Sequence, residues 1–166
     1  SLALQIGHRN SVDIDLFGKL DADDIAIHQQ LEKLGNYTQL KKTDNINIFS
    51  LNGIKIDIVN YPYSWLSKPI VFDNITLADK KDIAAMKLAA ISGRGSKKDF
   101  IDIFFLLKHY TIKQMLEFFI KKYPNGSTFL VVKSLTYFND AENDETPQIF
   151  HDMNWEIVKK TIINEV

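Results

Sequence analysis

Cysteine is absent from the 166 residues, which excludes disulfides and thiolate metal ligands and fits a reducing compartment, so a cytoplasmic location is expected. An excess of one charge is missing too. Lys and Arg number 20 against 21 Asp and Glu, a formal balance of −1. No overall basic field therefore marks a nucleic-acid partner, and a polyanionic substrate would have to meet a local patch. No apolar run reaches the ~18 to 20 residues that a spanning helix needs, so no membrane partner is expected. Two catalytic signatures are absent: the G-x-S-x-G turn of a serine nucleophile and the G-x-x-x-x-G-K-[ST] loop of P-loop enzymes. His8, His28, His109 and His151 are scattered without metal-ligand spacing, so no histidine site is assigned.

What is present is ordinary globular composition, 45% hydrophobic and 25% charged, which argues against a disordered chain and for one compact unit. Residues 2–6 read as the end of a helix closed by Gly7, and the chain opens at Ser1 inside that pattern without an initiator methionine. Further native sequence upstream is expected. Residues 12–16 alternate strictly, with Ser11, Asp13 and Asp15 on one face and Val12, Ile14 and Leu16 on the other, the period of a half-buried strand. A helix over 21–34 with Gly35 as its stop follows, then strands at 37–41, 46–51 and 54–59. Asn52-Gly53 between the last two is a two-residue hairpin turn. Residues 61–74, with Pro62 and Pro69, read as a loop with one edge strand. From residue 79 the pattern is helical: 79–92, 97–109, 111–123, 127–138 and 154–164, with an acidic linker at 139–147. The expected class is α+β, a small mixed sheet with helices over residues 1–75 and a helical region over 76–166 packed on it.

Asp13 and Asp15, two apart on a strand, project to the same side and repel each other. A divalent cation removes that repulsion, and Mg²⁺ typically binds one or two carboxylates plus substrate phosphates. The alternative is a solvated polar strand face. A calcium loop fails because Phe17 stands at a ligand position and Asp24 where a bidentate Glu is needed. Asp57, opposite in direction to Ile54, Ile56 and Ile58 on its strand, could join the pair if the two strands are neighbours, making a cluster suited to phosphoryl transfer; otherwise it is one exposed acid on a hairpin.

The stretch 83–91 is apolar in eight of nine residues, with Lys87 in its middle. A helix hydrophobic all round is buried, and a buried ammonium needs an anion, either a carboxylate or a ligand phosphate, unless it snorkels to the surface. Arg94 is two turns further on and could extend a cationic stripe. The next helix has the sign reversed, Asp99 and Asp102 among apolar neighbours, and both acids could pair with Lys87 or Arg94 across a helix hairpin. Arg9 could meet a phosphate bidentately, and Ser11 shares the face of the two acids.

The run from Leu2 to Phe17 with its Asp13-Ile14-Asp15, together with Met86-Lys87, Gly93-Arg94-Gly95 and Lys98-Asp99-Phe100-Ile101-Asp102, closely resembles the AbiEii/AbiGii toxin family of nucleotidyltransferase-fold proteins. The resemblance implies a nucleotidyltransferase-like core, a nucleoside triphosphate bound with Mg²⁺, and a place as the toxin of a toxin–antitoxin or phage-abortive pair, hence a cognate antitoxin. Some members transfer nucleotides to the acceptor end of tRNA. Carried over by motif, Asp13 and Asp15 hold metal; Arg9 and Ser11 meet the triphosphate; Lys87 contacts phosphate; Asp99 or Asp102 completes the site, while Asp57 as third metal carboxylate and Arg94 as a further nucleotide contact rest on the strand and helix readings above. The family's Gly-Gly-Ser/Thr element, where backbone N–H groups approach the triphosphate, would fall just before Ser1, so an N-terminally truncated relative is implied. The expected reaction is transfer of a nucleoside monophosphate to an RNA or protein hydroxyl. The alternatives are a catalytically impaired relative that binds a partner, and a phosphodiesterase using the same acids.

Overall fold

The computed structural model describes residues 1–20 and 23–166, and it divides into two compact units, Ser11–Tyr63 and a second built from Ser1–Asn10 with Ser64–Val166. Among the described residues no helix is long and apolar enough to cross a membrane.

The first unit is a four-stranded mixed sheet. Its strands are β1 (Ile14–Gly18), β2 (Tyr37–Lys42), β3 (Ile46–Leu51) and β4 (Ile54–Asn60), in the spatial order β1-β4-β3-β2. β1 runs parallel to β4, while β2, β3 and β4 form an antiparallel meander. The expected hairpin turn is there: Asn52 and Gly53 both take positive φ, 49° and 83°, as a two-residue loop between right-twisted strands requires. Helix α2 (Asp24–Leu34) is capped at Asp23, whose carboxylate accepts from the Ala26 N–H at 2.8 Å. The reading that began this helix at residue 21 covers Asp21 and Ala22, which lie outside the described residues. Ile27 and Leu31 of α2 meet Phe49 and Ile56 to form the core of the unit.

The strand expected at 12–16 lies two residues further on, and its apolar face is not half-buried. Val12 is 71% exposed, Ile14 44% and Leu16 50%. The reason is position: β1 is the edge of the sheet, and the side chains of α2 are spent on the central strands β3 and β4.

The second unit is helical: α1 (Leu2–Ile6), α3 (Lys80–Gly93), α4 (Lys97–Leu106), α5 (Ile112–Lys122), α6 (Thr128–Leu135) and α7 (Trp155–Glu165), with a two-stranded hairpin of β5 (Ile70–Phe72) and β6 (Ile75–Leu77). The hairpin replaces the single edge strand expected in 61–74, because Asp73 and Asn74 accept the positive φ that a tight turn needs. α3 packs against α4, α5 and α6, and its Ala84, Ala85 and Leu88 are wholly buried, as expected of a helical stretch with apolar residues on every side. Residues 8–10 pair with 148–150: Arg9 bridges Ile149, Phe150 N–H donates to His8 O at 3.0 Å, and Asn10 N–H to Gln148 O at 2.9 Å. These bonds, and the burial of Leu2 in the helical core, are why the first ten residues belong with the helices and why the division differs from one at residue 75.

Candidate active site

In the sheet unit, β1 and β4 are neighbours, the condition on which Asp57 was expected to join the strand acids. Asp15 and Asp57 are register partners, so their side chains lie side by side on the face opposite Ile56 and α2. The two oxygens of Asp57 are 2.6 and 2.7 Å from Lys55 Nζ, two residues back on the same face. Asp13 precedes the strand, and Ser11 stands at the start of this unit. No group of three or more His, Asp or Glu converges to hold a metal among the described residues. The donor set nevertheless fits a hard divalent cation: two adjacent carboxylates suffice when substrate phosphates complete the shell.

In the helical unit the residues singled out around Lys87 come together. Asp99 and Asp102, three apart on α4, share one face of the helix. Lys87 Nζ is 2.8 Å from Asp99 Oδ1 and 2.6 Å from Asp102 Oδ2, so the partly buried ammonium has found carboxylates across the α3–α4 hairpin. Gly95, at φ +55°, makes the turn between those helices. Asp102 is fully buried and saturated. Its Oδ1 accepts from His8 Nε2 and Arg9 Nε, both at 2.7 Å, and its Oδ2 accepts from Arg9 Nη2 at 2.9 Å besides Lys87. Arg9 thus grips the carboxylate with two prongs of its guanidinium. Asp99 also accepts from the Ser96 hydroxyl, and Arg94, largely exposed, stands 3.5 Å from its Oδ2.

The electrostatics follow from this crowding. Burial by itself would raise the Asp102 pKa, but hydrogen bonds from His8 and Arg9 and the charge of Lys87 hold it far below the ordinary carboxylate range. Asp99 is depressed likewise: burial opposes, and Lys87 overcomes it with help from Ser96 and Arg94. Lys87 is raised, because the charges of Asp102 and Asp99 outweigh the burial that would otherwise favour the neutral amine. Lys87, Asp99 and Asp102 are therefore ionised at neutral pH. Arg9, Lys87 and Arg94 against Asp99 and Asp102 leave the cluster one positive charge in excess, before any charge on His8.

Two features escaped sequence reasoning. His8 is completely buried, lies 4.8 Å from the Phe105 ring, and belongs to the cluster; its direct neighbour Arg9 was the available signal. The other is a second buried ion pair, Lys122 with Asp82, 2.6 Å apart. Lys122 also donates to Ser64 O and lies 4.5 Å from the Trp65 ring centre, while Asp82 accepts from the Leu66 and Ser67 N–H groups. Forty residues separate the pair, and nothing local marks either residue.

Comparison with known proteins adds three findings. The sequence model of the family described as nucleotidyl transferase AbiEii toxin, type IV TA system, matches residues 1–163. An uncharacterised protein of Aquifex aeolicus (strain VF5) is 38% identical over 168 residues, covering 96% of this chain and 80% of its own. The crystal structure of a candidate nucleotidyltransferase from H. pylori superposes with a TM-score of 0.56 at 18% identity, over 98% of this chain and 80% of that one, a likeness of fold.

Proposed function

Since this chain belongs to the AbiEii nucleotidyltransferase toxin family, we propose that it transfers a nucleoside monophosphate from a nucleoside triphosphate to a hydroxyl of an RNA acceptor of tRNA type, with Mg²⁺ held at the strand acids. Membership supplies the coarse part: a nucleotidyltransferase, the toxin of a toxin–antitoxin pair, with a nucleotide substrate and a cognate antitoxin. The observation that supports the metal end of this reading is the side-by-side register of Asp15 and Asp57 on parallel strands, and the acceptor rests on the family alone. Asp15 and Asp57 would hold the ion together with the substrate phosphates, and Asp13, two residues before Asp15, is assigned to support them. When bound, Mg²⁺ would neutralise charge developing on the phosphate oxygens.

In the transfer the acceptor oxygen forms a bond to the α-phosphorus as the bond to the bridging oxygen of the β-phosphate breaks. Pyrophosphate leaves with the electron pair, and the hydroxyl proton passes to solvent or to a strand carboxylate. Little covalent work falls to the protein, so positioning and charge carry catalysis. Arg94, largely exposed, is the cation the helical unit offers to phosphate oxygens, while Arg9 and Lys87 are held by Asp99 and Asp102, and Ser11 is assigned to the triphosphate. Asp99 and Asp102 act as positioning residues on this reading, because the oxygens of Asp102 are already engaged by three side chains and cannot also bind substrate.

The test is incorporation of label from each α-labelled ribonucleoside triphosphate into an RNA pool rich in tRNA, with circular dichroism as the folding control. Asp13→Ala and Asp15→Ala are expected to lose transfer and keep the fold. Wild-type transfer by both variants overturns the assignment.

A further inference from the structure

The sheet face that carries Asp15 and Asp57 continues into aromatic residues. Phe17 lies two residues beyond Asp15 on β1 and therefore on the same face. Tyr61 directly follows β4, and its N–H donates to Gly18 O at 2.9 Å, which extends the parallel ladder past Asn60. The Phe17 and Tyr61 rings meet edge to face at 5.4 Å, and Tyr61 meets Tyr63 at 5.2 Å. None of the three belongs to the core of the unit, which lies on the α2 side around Phe49. Phe17 is 38% exposed and Tyr63 44%, with Tyr61 partly buried between them. The trio also stands at the carboxyl end of the sheet's parallel strand pair, the end where ligands of open α/β sheets bind.

We propose that Phe17, Tyr61 and Tyr63 form the stacking subsite for the base of the nucleoside triphosphate, an inference that rests on reading the Asp15/Asp57 face as the phosphate and metal end. The occupant follows from continuity along two strands. Hard oxygen donors suited to a cation and phosphates give way, within two residues on β1 and four on β4, to half-exposed rings suited to a flat apolar partner. A nucleotide has those two ends in that order. Stacking is tolerant of base identity because every base presents a π-face. The subsite therefore secures the nucleoside without choosing strongly among the four bases.

The experiment compares Mg²⁺-dependent binding of each ribonucleoside triphosphate with that of inorganic tripolyphosphate, by calorimetry on the full chain. The wild type is expected to prefer every nucleotide over tripolyphosphate. Phe17→Leu and Tyr61→Leu should each weaken nucleotide binding roughly five- to a hundredfold, the range seen when a stacking ring is removed. Their tripolyphosphate binding should be unchanged, and Tyr61→Phe, which keeps the ring, should keep the preference for nucleotide over tripolyphosphate. Tyr63→Ala, at the exposed end of the trio, should show the same split and serves if a leucine variant does not fold. Equal wild-type affinity for nucleotide and tripolyphosphate, or a preference that survives the substitutions, overturns the subsite while leaving the phosphate end intact. Binding of neither ligand by the wild type overturns the nucleotidyltransferase reading of this face, and the subsite with it.

Discussion

Replacing Asp102 by asparagine leaves Arg9, Lys87 and His8 gathered around a neutral acceptor with one hydrogen-bonding oxygen. Breaking a buried ion pair from one side costs about 3 to 5 kcal/mol, and that loss of unfolding free energy is expected for Asp102→Asn in denaturant titrations. The pH dependence separates electrostatics from packing. Asp99 and Asp102 are held below their unfolded values, so their contribution is complete above about pH 4 and is lost as pH falls towards their folded values. Lys87 is raised, so its share is complete below about pH 10.4 and is lost only as pH rises through its folded value. The gap in stability between wild type and Asp102→Asn should therefore narrow as pH falls below about 4. A gap that persists unchanged into acid would assign it to packing. Lys122→Met strands the buried Asp82 and should cost a similar ~3 to 5 kcal/mol. Adding Asp82→Asn removes the stranded charge and keeps an oxygen for the Leu66 and Ser67 N–H groups, so the double variant should be more stable than the single one.

At the scale of elements, α5 shows how closely local chemistry sets a boundary. Thr111 accepts from the Gln114 N–H, and the Gln114 side chain accepts in return from the Thr111 N–H, a reciprocal capping box. Thr111→Ala should lower stability by about 0.5 to 2 kcal/mol, read from the thermal midpoint. The Asn52-Gly53 turn, the Gly7 stop of α1 and the five long helices after residue 79 were legible for the same reason: caps, glycines and periodicity act within a few residues. The β5–β6 hairpin was not. Its strands are three residues each, too short for periodicity to show, and its turn uses Asp73-Asn74 without glycine. The exposure of Val12, Ile14 and Leu16 was also illegible, since alternation shows two faces of a strand and not what covers them.

For the molecule as a whole, two units share the chemistry-bearing residues: the strand acids belong to Ser11–Tyr63, and the Lys87 cluster to the unit of Ser1–Asn10 and Ser64–Val166. If an ion at the strand acids is required, chelation should abolish transfer, and added Mg²⁺ should restore it without refolding, measured by label incorporation and circular dichroism on one sample. Transfer that persists in excess chelator would remove the metal from the mechanism.

Fold class, most of the elements and the residues worth watching were already written along the chain, because strand alternation, helix periodicity and an ammonium within an apolar stretch are local facts. The sequence also carried the family, through two motifs in order. The partners of those residues were chosen in three dimensions. Lys87 took carboxylates from the next helix, Asp15 came beside Asp57 across forty-two positions, His8 was drawn into the Asp102 cluster from 94 residues away, and Lys122 met Asp82. A charge announces its need for a counter-charge within its own segment, but which one answers is settled by how the chain closes distant segments together.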